Sequence, residues 1–374
     1  MKQLKLLLLS CLIIISAKSQ TFTNSTGGAI PGTTPTSGSI YTCFPVTVSG
    51  VGTINNSYGL ASVRININHP IDEDLEILLQ APDGTYVPLS IQNGLGTNFT
   101  NTVFTTTATN PIKFGAPPFT GNFLPEGHLG AVNNGQNANG TWSLCVLDRR
   151  NPGSTGSVVN WSLTFSNTPA PAPPSLPSCS TIIPPSANCA SATSICDFNG
   201  ACGSTVAGSK QSWAALDAAC CFGLNNNTFV KFVAASTTVS FSVWVTTSAN
   251  GFNNANGGIQ MLFFSTPSCN STSVTTYGCY NRIYPFPASG KPLISVIYAS
   301  GLTVGNTYYL LMDGANGDQC NFTIAANSGV NVLDISPSAP SICNGQSVNL
   351  TASGGNGTYS WSPGTGLNTT TGAT

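Results

Sequence analysis

VRININHPIDEDLEILLQAPDGT, residues 63–85, reads as two strands and a turn. Val63, Ile65 and Ile67 alternate with Arg64, Asn66 and Asn68, and Leu75, Ile77 and Leu79 repeat the pattern before Pro82-Asp83-Gly84. A period of two lines one face of a pleated strand with apolar side chains, and Pro-Asp-Gly closes the turn. The same stretch gathers five of the chain's 12 acidic residues: Asp72, Glu73, Asp74, Glu76 and Asp83. His69, one of two histidines, stands three residues before them.

The alternation continues outward. Trp142, Leu144 and Val146 follow it, as do Trp161, Leu163 and Phe165, then Val239, Phe241, Val243 and Val245, then Ile259, Met261 and Phe263. Short strands between Gly, Pro and Asn turns, with no helical stripe longer than two turns, predict an all-β chain of tandem β-sandwich or jelly-roll domains. At 374 residues there is length for two or three such domains, each with its own core. Charged residues are only 6% and the net charge is -1 with no basic run, which excludes a nucleic-acid partner.

Residues 1–19 read as a secretory signal peptide: Lys2 and Lys5, an apolar run from Leu6 to Ala17, and the small-x-small site Ala17-Lys18-Ser19. Cleavage is expected after Ser19, with no membrane span in the mature chain and a secreted, cell-surface-associated product. Setting Cys11 aside leaves 12 cysteines, an even number that reads as disulfides in an exported chain. Cys43 and Cys145 are the pair of the first module. Cys179, Cys189, Cys196, Cys202, Cys220, Cys221, Cys269, Cys279 and Cys320 form a second group of open pairing. Nine is odd, so one remains a thiol or reaches Cys343. The vicinal Cys220 and Cys221 are expected to take separate partners.

APAPPSLP, residues 170–177, reads as an extended, semi-rigid spacer. The expected organisation is a first module at 20–167, a Pro-rich linker at 168–178, a Cys-rich sandwich at 179–330 and an incomplete repeat at 331–374.

VRININHP-IDEDLEILLQAPDGTYVPL, GTNFTNTVFTTTA, IKFGAPPFTGNFLPEGHL and NGTWSLCVLDRRNPGSTGSVVNWSLTFS, in this order, resemble the P domain (Homo B domain) of proprotein convertases over residues 25–167. The resemblance implies a jelly-roll sandwich that stabilises an adjoining subtilisin-like protease and carries no catalytic residues. No Asp-His-Ser set in subtilisin order accompanies it, so no enzyme activity is expected of this chain. NNNTFVKFVAA, GIQMLFFSTPSC and GLTVGNTYYLLMDGANGDQCNFTI are similar to sandwich modules of secreted bacterial surface proteins. SICNGQSVNLTASGGNGTYSWSPGTGLNTTTGAT resembles the PKD-like or immunoglobulin-like repeats of adhesins on gliding bacteria, interrupted at Thr374 as in a fragment of a longer protein.

Two readings of the acidic stretch stay open. In one, Asp72 to Asp74 form a solvated turn, Glu76 points off the face opposite Leu75 and Ile77, and Asp83 makes an Asx turn. In the other, Asp72, Asp74 and Asp83 supply oxygen ligands to calcium, the one cofactor considered. Some P domains bind calcium, but Thr105 and Thr106 stand where the family often has acidic residues. His69 is expected to be structural. Tyr280, Arg282 and Tyr284, in YGCYNRIYPFP, are a candidate ligand patch, taken as a loop in which core packing is the rival reading. DGANGD, residues 313–318, reads as a hairpin turn.

The expected function is an exported, non-enzymatic adhesin or spacer that meets an extracellular glycan or protein surface after passing a bacterial outer-surface secretion machinery. The alternatives are the accessory region of a secreted hydrolase and a carbohydrate-binding module.

Overall fold

The computed structural model describes residues 19–32, 41–149, 155–186, 188–205, 213–219, 223–252, 257–287, 289–330, 334–337, 340–353 and 359–374. The leader up to residue 18, and the pairing expected of Cys220 and Cys221, lie outside the described residues.

The first module contains β1 (Ser19–Asn24), β2 (Gly28–Ile30), β3 (Thr42–Val48), β4 (Gly59–Asn68), β5 (Leu75–Gln80), β6 (Tyr86–Ile91), β7 (Phe99–Thr105), β8 (Phe119–Phe123), β9 (Gly140–Asp148) and β10 (Gly156–Ser166). They form two sheets, β1-β10-β4-β7-β8 with β2 beside β10, and β3-β9-β5-β6. The alternating residues meet between the sheets as predicted. Val63, Ile65, Ile67, Trp161, Leu163 and Phe165 face Leu75, Ile77, Leu79, Trp142, Leu144 and Val146 in one buried core. Burying side chains of this size stabilises by about 1.5–3 kcal/mol each, before conformational entropy is charged against it.

The second module contains β11 (Thr181–Ile182), β12 (Thr193–Ser194), β13 (Ala201–Ser204), β14 (Thr228–Val233), β15 (Thr238–Ser248), β16 (Ile259–Ser265), β17 (Thr275–Ile283), β18 (Ser295–Ser300), β19 (Thr307–Gly314) and β20 (Cys320–Ser328), with one short helix, α1 (Ala214–Ala219). Its sheets run β11-β13-β20-β15-β18 and β12-β14-β19-β16-β17. The inner faces bury Val239, Phe241, Val243 and Val245 against Ile259, Met261 and Phe263. Leu216 of α1 and Trp213 just before it cover the outer side of the second sheet over Leu262, Phe264 and Leu311. Beyond these, β21 (Asp334–Ser336) pairs antiparallel with β22 (Thr351–Ser353).

Three details differ from the sequence reading. Much of YGCYNRIYPFP is strand, because Tyr277 to Ile283 lie on β17. DGANGD makes no hairpin, because β19 and β20 belong to opposite sheets and the segment crosses between them. Asp318 ties this crossover down, accepting from the Gly258 N–H at 2.7 Å and the Asn250 N–H at 3.1 Å. The linker starts as part of the first module: Ala170 is buried, donates its N–H to Leu60 O at 2.8 Å and accepts from Asn133 at 2.9 Å. A side chain at Gly130 would meet Pro171 O at 1.9 Å, so glycine there lets the linker lie against the sandwich.

Cys43 and Cys145 are bonded across the paired strands β3 and β9. Cys179 is bonded to Cys202 and Cys189 to Cys269, and Cys279 is also in a disulfide. Cys196, Cys320 and Cys343 are thiols, which corrects the expectation for Cys196 and Cys320. Cys196 is exposed, whereas Cys320 is buried and donates to Asp318 Oδ2 at 3.1 Å. Burial and that carboxylate push its thiol pKa well up, away from the reactive thiolate.

Candidate functional site

Glu76 occupies the centre of β5, paired in register with Ile91 of β6 and Leu147 of β9. With Leu75, Ile77 and Leu79 in the core, the pleat turns Glu76 and Leu78 to the other face of the sheet. That face is not wet. All of Leu75 to Leu79 is buried, because the second module covers the outside of the sheet.

Every lone-pair direction of Glu76 is used. Arg149 Nη1 approaches Oε1 at 3.1 Å, and Gln92 Nε2 donates to the same oxygen at 3.2 Å. Oε2 accepts from Tyr41 OH at 3.0 Å and from Tyr284 OH, and faces Arg282 Nη1 at 3.4 Å. Arg282 and Tyr284 come from the second module, so the carboxylate is shared between modules. Arg282 also donates to Gly257 O at 3.0 Å and Phe252 O at 3.1 Å, and its guanidinium lies 4.5 Å from the Tyr284 ring centre. This satisfies the fork of a buried arginine. Burial pushes the Glu76 pKa up, but Arg149, Arg282 and the two tyrosine hydroxyls outweigh it and hold the carboxyl below its ordinary range. Burial, then the Glu76 charge, raises Tyr284 well above a normal phenol.

Around this clasp lies an apolar patch, Leu78, Ile91 and Cys145 against Phe252, Tyr284 and Leu293. Tyr86 of the first module stacks at a tilt on Phe252, with ring centres 4.9 Å apart. Further links cross the junction. Val296 N–H donates to Glu126 O at 2.8 Å and Gly127 bridges Ser295, so the first module covers part of the open edge of β18. His128 Nε2 lies 2.7 Å from Ser242 Oγ, which itself donates to Asn327 at 2.8 Å. Lys291 meets Asp83 at 3.1 Å on the rim. Ser242 is fully buried and donates its proton to Asn327, so this His–Ser contact links the two modules.

The candidate residues of the sequence therefore fall in different places. Asp72 and Asp74 lie buried on a 3-10 turn before β5, not in a solvated loop. Asp72 Oδ1 accepts from the Asn98 N–H at 2.8 Å, while its Oδ2 has no hydrogen-bond partner among the described residues. Burial drives its pKa up to about 7, against the pull of the Asn98 N–H. Asp83 lies past the far end of β5, roughly 20 Å of strand away, held by the Thr85 N–H at 2.9 Å, Asn134 at 3.0 Å and Lys291. The three do not converge on one cation, and no group of three His, Cys, Asp or Glu among the described residues is arranged to hold a metal. His69 is buried, with Nδ1 2.7 Å from Ile71 O and Nε2 3.3 Å from Asp148.

Tyr280, Arg282 and Tyr284 are 4%, 5% and 0% exposed, so the surface patch expected of them is instead the second module's half of the junction. The residues that sequence reasoning missed are Glu76 as a buried group, Tyr41, Gln92 and Arg149. One signal was present: Leu78 breaks the polar face of β5, as happens when both faces of a strand are covered. The site as a whole binds two sandwiches together. With both oxygens of Glu76 saturated by donors, it has no acid-base chemistry to offer.

No curated protein matches the chain. Among solved structures it is similar to the serine protease of Aeromonas sobria, at 17% identity and a TM-score of 0.22, over 41% of this chain and 26% of that one. It is similar also to that protease in complex with its chaperone, at 16% identity and a TM-score of 0.21, again over 41% and 26%. The chain thus spans about a quarter of the length of these structures. Residues 60–165, from β4 to near the end of β10 and including Glu76, match the family profile of the proprotein convertase P-domain.

Proposed function

We propose that this chain is an exported, non-catalytic β-sandwich protein that acts at the cell surface in adhesion or as a spacer, with its P domain bracing the sandwich that follows. The observation that carries this reading is the Glu76 clasp. A P-domain strand spends its one buried carboxylate on Arg282 and Tyr284 of the neighbouring module. Support for export comes from the disulfides Cys43–Cys145, Cys179–Cys202 and Cys189–Cys269. Low charge and cross-linked sandwiches suit a part that must resist extracellular proteases.

The test has two arms. Beads coated with the full chain are expected to adhere to extracellular matrix or to cells, and the soluble chain is expected to compete. Purified protein is expected to leave casein intact. Peptidase activity that titrates with the protein would overturn the reading, as would beads that adhere no better than albumin-coated ones. The P-domain match favours a second reading, an accessory region working beside a secreted subtilisin-like protease. Stabilisation of such a protease by added chain, seen as a longer half-life at 50 °C, would decide for it.

A further inference from the structure

Elsewhere along the junction the two modules do not close completely. A cleft of about 520 Å³ remains, walled by Thr109, Asn110 and Phe114 of the first module and by Thr238, Ser240 and Tyr298 of the second, among others. None of the described residues lining it is Asp, Glu, Lys, Arg or His. Lys113, next to Phe114, turns its ammonium onto the Tyr280 ring 4.9 Å away. Phe114 is 41% exposed and is the one aromatic among the exposed large apolar side chains described.

We infer that this cleft is a binding site for a neutral oligosaccharide. The volume falls within the usual range of small-ligand sites. A charged ligand would give up water for walls that offer no counter-charge, and a purely apolar one would strand the hydroxyls and the Asn110 amide. A neutral sugar does neither. Its hydroxyls match the Thr, Ser, Tyr and Asn groups, which both donate and accept. Its C–H face matches the open ring of Phe114, as apolar faces match aromatic ones. Because both modules form the walls, the ligand selects the docked arrangement and stabilises it by mass action. This names the ligand class for the adhesive role proposed above and rests on that reading for its biological meaning, but the cleft itself is geometric.

The experiment uses the full chain, with cellotriose, maltotriose, mannotriose and chitotriose as neutral probes and sialyllactose and a sulfated disaccharide as charged ones, read by calorimetry. At least one neutral trisaccharide is expected to bind more tightly than ~1 mM, with the charged probes inert. Phe114→Ala is expected to weaken binding at least tenfold. Thr238→Trp, which fills the mouth from an exposed position, is expected to abolish it, both variants keeping the parent melting temperature. Three results overturn the inference: no neutral probe binds, charged probes bind better, or binding survives both variants. X-ray scattering on the same sample reports whether the modules are docked, so a docked chain that binds no sugar removes this inference alone. Sugar binding without bead adhesion removes the adhesive role and leaves the cleft.

Discussion

Glu76 sits between two guanidinium groups, Arg282 buried and Arg149 partly exposed, and without it the Arg282 charge would be left buried and unpaired. Truncation is therefore expected to cost far more than the clasp is worth as a whole. Glu76→Ala should lose roughly 3–5 kcal/mol of stability, measured by urea unfolding. The double variant Glu76→Leu, Arg282→Met should recover most of that, because Arg149 is 15% exposed and can turn to solvent. Acid acts on the same junction. Glu76 has a lowered folded pKa, so its stabilisation is present above the unfolded value and is lost as pH falls through the folded one. His128 follows the same sign: burial lowers it to about 4, so the neutral ring's contribution fades from pH 6.5 downward through that value. His128→Gln, which keeps a donor toward Ser242, should flatten the loss of stability between pH 6.5 and 4. Asp72 has the opposite sign. With a folded pKa raised to about 7, it favours the fold at low pH and opposes it as pH rises through 7. Asp72→Asn should raise stability at pH 8 by roughly 1–3 kcal/mol and change little at pH 4.

At the scale of the strand, β5 shows what a sequence reveals and what it hides. Leu75, Ile77 and Leu79 identified its core face without ambiguity, because alternation reports the face that meets the same domain's other sheet. Glu76 and Leu78 lie on the face whose fate depends on another module 200 residues away, and no local period encodes that. Tyr280, Arg282 and Tyr284 leave two readings open for the same reason: aromatic side chains around an arginine look alike at a ligand patch and at a buried junction, and burial decides for the second. The cysteines followed similar logic. Oxidation was legible from their number, but the Cys320 thiol depends on its burial and on Asp318, two residues before it, which the crossover fixes against its sulfur. Leu78→Ser should separate the two roles of β5. It is expected to cost ~1–3 kcal/mol and to speed proteolysis in the 171–178 linker. The inner core, and with it the near-ultraviolet dichroism of Trp142 and Trp161, should stay intact.

At the scale of the molecule, two sandwiches are locked side by side through a junction that mixes a buried ion network, an apolar patch and a covered strand edge. Scattering from the wild-type chain should fit this docked form, and Glu76→Ala should shift the profile toward a longer maximum dimension. The short tether that the first module holds down through Ala170 has a mechanical consequence. When the chain is stretched between its ends, the load reaches the junction in parallel with residues 171–178, so the junction yields first and neither sandwich need unfold. Once it opens, these eight residues can extend by no more than about 25–29 Å. A single-molecule trace should therefore begin with a low-force step of at most that linker contribution plus module rotation, before the tall peaks of disulfide-limited unfolding. Relaxing the tension lets the junction re-form, so the molecule behaves as a resettable shock absorber.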